Sequence, residues 1–486
     1  MKAGNIMDMK RNLTMLTDFY EITMAGGYFE EGLKDRVAVF DMFFRTVPDG
    51  GGFAVFAGLE QLVEYIKDLH FTAEDIAFLR EKNMFSEQFL DYLRGFHFTS
   101  DVYAVPEGTV VFPGEPIVTV RGPVIEAQMV ETMILLTVNH QSLIATKANR
   151  IVRAAKGRTV FEFGSRRAQG YDAAILGARA AYIGGCDGTA CVIADREYEI
   201  PSVGTMAHSW VQLFDSEYEA FQTYARRYPY NCSLLVDTYN VIKSGVPNAI
   251  RVFDEVLAPM GIRPAGIRID SGDIAYLSKK ARKMLDEAGY SDVKIMASNS
   301  LDEYIIRDLL LQDAKVDLFG VGECLITSKS APVFGGVYKL VAAEDENGNL
   351  LPKIKISESV EKITTPCFKR LYRIYNQDGK AQADYIALAD EQVEGKTEIS
   401  LFDPIATYKK KTFRNVEIRC IQQPIFQKGQ LVYQLPDLKS VRNHCMAEVD
   451  SLWDEVKRFE NPHRYYVDLS KALWEEKQRL LNEYGE

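Results

Sequence analysis

Short apolar runs recur through the middle of the chain, at 160–163, 234–237, 266–270, 293–297 and 316–320. Each ends in, or is followed by, a Gly, an acid or a small polar residue. The last four follow one another at the spacing of a strand plus a helix. The stretches between them are patterned for helices: 274–288 has an apolar face and is stopped by Gly289, a left-handed-tolerant residue just past its end. Strand, polar turn and helix repeated at this period predict β/α units around a parallel sheet or barrel.

The flanks read differently. On the amino-terminal side, 74–94 predicts a largely helical stretch, 102–120 predicts short strands and turns rich in Val, Pro and Gly, and 126–153 predicts another helix. After about residue 345 an Asn347–Gly348 pair between strand-like runs signals a hairpin. Further strands are predicted at 368–375 and 412–420. A terminal helix over 468–484 places Leu473, Leu480, Leu481 and Tyr484 on one face. The expected organisation is an N-terminal α/β part over 1–145, a β/α barrel-like catalytic part over 146–345, and a mixed α/β C-terminal region over 346–486 that packs on the first.

Strand alternation singles out the first candidate groups. In GIRIDSGD (266–273), Ile267 and Ile269 share one face, and Arg268 and Asp270 share the other. On a barrel strand the charged pair faces the lumen at the carboxyl end, where barrel active sites sit. The alternative is a buried ion pair that only holds register. Asp237 repeats the theme at the end of LLVD, as a site acid or as the N-cap of the next helix. Phe163 precedes Arg166 and Arg167, a ring and two guanidiniums suited to a planar anion, or else a core Phe with surface arginines. Gly320 and Gly322 follow another apolar run and read as a phosphate-approach loop or as turn residues. His208, one of six histidines, reads as a nucleophile or a satisfied structural residue. Asp18 with Glu21 three residues on reads as a capping box. Arg45 stands beside the glycine-rich turn PDGGG (48–52), which reads as a phosphate-binding turn or simply as a hairpin.

Composition narrows the class of partner. Of 486 residues, 57 are Lys or Arg and 68 are Asp or Glu, a net charge of −11. No broad nucleic-acid footprint or polybasic membrane surface is expected, while a local basic pocket for a phosphorylated small molecule is compatible. The seven cysteines form no Cys-x-x-Cys pair, so reduced thiols and a cytoplasmic location are expected. No apolar run approaches the length of a membrane span, and no signal-peptide pattern fits the N-terminus. Walker A, His-Glu-x-x-His and Gly-x-Ser-x-Gly motifs are absent.

Eight stretches in order carry a resemblance: TDFYEITM (17–24), FRTVPDGGGFAVFAGLE (44–60), FEFGSRRAQG (161–170), GGCDGTA (184–190), GTMAHSW (204–210), LLVDTYN (234–240), RIDSGD (268–273) and FGVGECLITS (319–328). Together they resemble the nicotinate phosphoribosyltransferase family of NAD salvage. The resemblance implies an irregular, incomplete β/α barrel plus an N-terminal α/β domain joined by C-terminal segments. It implies a homodimer with active sites at the subunit interface. The implied reaction joins nicotinate to 5-phosphoribosyl 1-pyrophosphate, giving nicotinate mononucleotide and pyrophosphate, with Mg²⁺ and with ATP hydrolysed through a phosphohistidine at His208. Carried over residue by residue, Tyr20 and Phe163 sandwich the ring, Tyr20 coming from the partner subunit with Asp18 close by. Arg166 lies at the ring or its carboxylate. Arg268 and Asp270 face the ring edge and ribose, with Asp237 as an orienting or metal-associated acid. Gly320 and Gly322 receive the 5′-phosphate, and Arg45 reaches phosphates across the interface. One departure stands out: Glu323 follows Gly322 where the family commonly has a small residue.

The nearest rival is nicotinamide phosphoribosyltransferase, which the resemblance distinguishes by an acid at the position of Ala190. A shift of alignment onto Asp187 would reverse that reading. A β/α-barrel aldolase or isomerase lacks its lumen lysine here. A catalytically dead relative acting as a binding protein is opposed by intact His208, Arg268 and Asp270.

Overall fold

The computed structural model describes residues 11–359 and 362–484. The chain forms two units, one built from Met1–Ser142 with Val333–Glu486 and the other from Leu143–Pro332. Residues 333–345, grouped with the barrel-like part on sequence, run in the first unit and include the strand Val337–Glu344.

The second unit is built on six parallel strands in the order Gly188–Thr189, Thr159–Glu162, Leu318–Val321, Lys294–Ala297, Gly266–Ile269 and Ser233–Leu235. The order is that of a barrel, in which chain neighbours are spatial neighbours and the last strand returns to pair with the first. One seam stays open, between Gly188–Thr189 and Ser233–Leu235, so the barrel is incomplete. The predicted apolar runs supply five of the six strands. Gly188–Thr189, only two residues long, has no run of its own to announce it.

Alternation works as expected on Gly266–Ile269. Ile267 and Ile269 are fully buried, whereas the Arg268 and Asp270 side chains are 15% and 27% exposed at the opposite face. The helix Ile274–Glu287 starts on Asp273, whose carboxylate accepts the Tyr276 N–H, and ends before Gly289 at φ +84°.

In the first unit, C-terminal segments complete sheets begun by N-terminal ones. An antiparallel sheet runs Leu350–Pro352, Val337–Glu344, Val37–Phe43, Val118–Pro123, Asp101–Ala104, Gln423–Gln427 and Gln430–Leu431. The Asn347–Gly348 turn joins the first two of these, with Gly348 at φ +79°. The single helix expected over 74–94 is two, Ala73–Glu81 and Glu87–Arg94, because Asn83 turns left-handed and the Ser86 hydroxyl caps a new start. The strand expected over 412–420 is likewise split into Lys410–Arg414 and Glu417–Cys420 at Asn415, φ +53°. The helix expected from 468 begins at Lys471, and Val467–Leu469 is a strand. Leu473 and Leu480 are its core contacts, while Tyr484 is exposed. Among the described residues no helix is long and apolar enough to cross a membrane.

One buried cluster braces the barrel-like unit. The Glu303 carboxylate, fully buried, accepts from Lys147 Nζ at 2.9 Å and Arg150 Nε at 2.7 Å. Both cations are also almost wholly buried, so the carboxylate neutralises charge that water cannot reach. Glu303→Ala removes that shared counter-charge and is expected to cost about 3–5 kcal/mol of unfolding free energy. The check is the urea midpoint of the variant against the native protein. A midpoint shift corresponding to less than about 1 kcal/mol, the ordinary size for a surface pair, would count against a bracing role.

Candidate active site

The carboxyl ends of three adjacent strands meet at Arg268. Its Nε donates to Ser298 Oγ at 2.9 Å, one terminal nitrogen to Thr205 Oγ1 at 3.1 Å and the other to Asp270 Oδ1 at 2.9 Å. Ser298 also donates to the same Asp270 oxygen. The guanidinium carbon lies 5.8 Å from the centre of the Phe163 ring, within cation–π range. A charge that cannot be shed by deprotonation is thereby satisfied by three oxygens and one ring face.

Asp270 is tied in turn to Asp237. The Asp270 backbone N–H donates to Asp237 Oδ2 at 3.0 Å, and the Ser271 hydroxyl donates to the same atom. Asp237 is not the N-cap of the next helical segment, because Asn240 takes that role and accepts from the N–H groups of Ile242 and Lys243. The Asp237 side chain is 1% exposed, yet its Oδ1 has no hydrogen-bond partner. An orphaned buried carboxylate oxygen is costly, and this one faces His208. Nε2 of His208 is 4.0 Å from Asp237 Oδ1 and 3.7 Å from Asp270 Oδ2, while Nδ1 is 3.0 Å from Thr238 Oγ1. The imidazole is 40% exposed, on the first turn of His208–Leu213.

Phe163 and Phe161 lie on the lumen side of their strand with rings stacked 6.1 Å apart. Gly320 is a glycine for their sake: a Cβ there would stand 2.6 Å from the Phe163 ring. Gly322 is held close to Gly164, whose own Cβ would meet the Gly322 carbonyl oxygen at 2.7 Å and Ile326 at 2.6 Å. Arg166 is exposed on the short turn Ser165–Arg167. Ala190 is exposed at the same end of the sheet, its N–H donating to the Glu162 carbonyl at 2.8 Å. Asp187, three residues earlier and also exposed, precedes the strand Gly188–Thr189, its carboxylate accepting the Val160 N–H at 3.0 Å. Glu323 turns toward two cations, Lys329 Nζ at 2.8 Å and Arg167 Nε at 3.7 Å. The hydrogen bond from Lys329 lowers its pKa, so the acid after Gly322 is compensated.

Asp18, Tyr20 and Arg45 belong to the other unit. The capping box expected of Asp18 and Glu21 does not form. Asp18 precedes the helix Phe19–Glu30 without a side-chain cap, and the fully buried Glu21 instead accepts from the Thr17 and Thr132 hydroxyls. Burial pushes the Glu21 carboxyl up to about 7. Tyr20 is 45% exposed and hydrogen-bonds Glu131. The Arg45 guanidinium lies 5.8 Å from the Phe43 ring centre.

Four residues of the site have no sequence-level flag: Glu162, Thr205, Thr238 and Ser298. Glu162, Thr205 and Thr238 fall inside quoted motifs, and Ser298 is the first residue past its strand, the one signal available for it. Among the described residues no cluster of three or more His, Cys, Asp or Glu could hold a metal ion.

Nearly the whole chain is similar to known proteins. The family models for the N-terminal domain of nicotinate phosphoribosyltransferase (NAPRTase), for the NAPRTase family, and for its C-terminal domain match residues 15–139, 159–364 and 368–477. The nicotinate phosphoribosyltransferase of Bacillus subtilis is 46% identical over 97% of this chain and 96% of its own. That of Dictyostelium discoideum is 36% identical over 95% and 87%. The crystal structure of human nicotinic acid phosphoribosyltransferase superposes with a TM-score of 0.85 at 30% identity, covering 96% of this chain and 99% of that one. With matching models over most of its length and relatives above 30% identity end to end, the chain belongs to the nicotinate phosphoribosyltransferase family.

Proposed function

We propose that this protein is an enzyme that transfers the phosphoribosyl group of 5-phosphoribosyl 1-pyrophosphate to the ring nitrogen of nicotinate, coupled to ATP hydrolysis at His208. The observation that carries the reading is the linked set Phe163, Arg268, Asp270, Asp237 and His208 at the open end of the parallel sheet. Cleavage at C1 of the sugar develops positive charge there and releases pyrophosphate, so the protein's task is positioning and charge stabilisation. The nicotinate nitrogen carries no proton at neutral pH and needs no strong base. Phe163 stacks the ring, Arg166 meets its carboxylate, and Arg268 with Asp270 orients ring edge and ribose. Gly320 and Gly322 offer backbone to the 5′-phosphate.

The acids suit a cation that arrives with substrate phosphates. Mg²⁺ takes one or two carboxylates plus phosphates and water, and Asp237, with its unpartnered Oδ1, and Asp270 would hold it. Its chemistry there is to neutralise the leaving pyrophosphate. At His208, Nδ1–H donating to Thr238 leaves the Nε2 lone pair as the nucleophile. The Nε2–P bond forms as the bond from the γ-phosphorus to the bridging oxygen of ATP breaks, releasing ADP. The two facing carboxylates then stabilise the cationic ring. Tyr20, Asp18 and Arg45 complete the site from the second subunit of a homodimer, and a cytoplasmic location fits the unpaired cysteines. Nicotinamide is the disfavoured base, because Ala190 offers no acceptor to an amide and Asp187 is engaged with Val160.

Three outcomes are expected. Incubated with phosphoribosyl pyrophosphate, the protein converts nicotinate to its mononucleotide far better than nicotinamide. Ala190→Asp lowers kcat/KM for nicotinate at least about tenfold, since facing like charges cost several kcal/mol; equal use of both bases by the native protein would sink the reading. His208→Ala loses ATP hydrolysis and ATP stimulation but keeps slow ATP-independent transfer. Label from γ-phosphate enters the native protein in acid-labile, base-stable form and is absent from the variant. ATP stimulation surviving in the variant makes His208 structural. Finally, mixed subunits of Tyr20→Ala and Asp270→Ala regain part of the native activity, because one hybrid site keeps both residues. A fully active monomer in sedimentation at assay concentration excludes the shared site.

A further inference from the structure

Glu162 ends the strand Thr159–Glu162, between Gly188–Thr189 and Leu318–Val321, and is fully buried. No cation lies within ion-pair distance of it among the described residues, so its burial is not repaid by charge pairing. Its carboxylate serves two neutral donors instead. One oxygen accepts from the Gly164 N–H, and the other accepts from Thr189 Oγ1 at 2.6 Å. Thr189 Oγ1 in turn accepts the Cys191 N–H at 3.0 Å, and the Glu162 carbonyl takes the Ala190 N–H. One residue therefore fastens together the loop that carries Phe163 and Arg166 and the turn that carries Ala190. Gly164 also abuts Gly322, and the Phe163 N–H donates to the Val321 carbonyl at 2.8 Å, so the third loop takes its register from the same point.

A buried acid spent on two loops is an expensive crosslink unless their separation matters. Both loops line the place assigned above to the pyridine carboxylate. We infer that Glu162 is a positioning residue that sets the spacing between the Phe163–Arg166 loop and the Ala190 turn, and through it the discrimination between nicotinate and nicotinamide. Glu162 itself touches neither substrate. The inference rests on the proposed base site. Burial raises the Glu162 pKa on balance, with its two hydrogen bonds opposing the shift.

The test compares two variants of similar shape. Glu162→Gln can keep both links, with its oxygen to Gly164 and its amide nitrogen to the Thr189 oxygen. Glu162→Met fills the space and keeps neither. Steady-state rates with nicotinate and nicotinamide, each at saturating phosphoribosyl pyrophosphate, are measured for both, with thermal unfolding alongside. For Glu162→Met the expected result is a KM for nicotinate raised about tenfold, within the range that small misplacement commands, and a reduced preference over nicotinamide. The KM for phosphoribosyl pyrophosphate changes little, while the thermal midpoint falls modestly, since the buried Gly164 N–H and Thr189 hydroxyl lose their acceptor. Glu162→Gln stays near the native values. Native base preference in Glu162→Met overturns the inference, as does a fall in midpoint with equal rises in both KM values. If the native protein turns over no nicotinate, the base-site reading fails and the inference fails with it, a result separable from native turnover with an indifferent Glu162→Met.

Discussion

The open end of the barrel is organised by the need to satisfy one permanent charge. Arg268 stands on a strand whose other face is committed to buried isoleucines, so its side chain can leave only toward the lumen. A guanidinium there has planar, fixed donor directions. Ser298, Thr205 and Asp270 are placed along them, and Asp270 then positions its backbone on Asp237 and its second oxygen toward His208. Few of these groups are free to move independently. Preorganisation of this kind is what a reaction needing little covalent help requires of its site.

Packing dictates the same loops from below. Gly320 reads as a phosphate-binding glycine, but its immediate necessity is the Phe163 ring, which occupies the space a side chain would take. The two explanations are compatible, because a bare backbone beside an aromatic platform also presents N–H groups to a ligand. Glu323 shows how a departure from family pattern is absorbed. Lys329 and Arg167 draw its carboxylate to themselves and remove an uncompensated negative charge from the loop.

Three buried acids illustrate three uses of the same group. Glu303 neutralises Lys147 and Arg150 and braces helices. Glu162 has no cation and joins two loops through neutral donors. Glu21 is held by two threonine hydroxyls, and burial pushes its carboxyl up to about 7 by penalising its charge. Residue type alone does not separate these cases; the donors each acid meets do.

The sequence by itself determined five of the six strand positions of the barrel, the faces of Gly266–Ile269, the stop at Gly289 and the hairpin at Gly348. Burial of an apolar face is non-directional and averages over several residues, so a period of two or of 3.6 survives in the chain as a readable signal. It also exposed Arg268, Asp270 and Asp237 as candidates, since each interrupts or ends an apolar pattern, and His208 as one of only six histidines. Only the tertiary structure decided which of them meet. It broke the helix over 74–94 at Asn83, diverted Glu21 from its local cap to Thr132, and gave Glu162, Thr205, Thr238 and Ser298 their roles. Hydrogen bonds act over about 3 Å and in set directions, so a polar side chain's partner is chosen by whatever the fold brings beside it, and no local pattern records that choice.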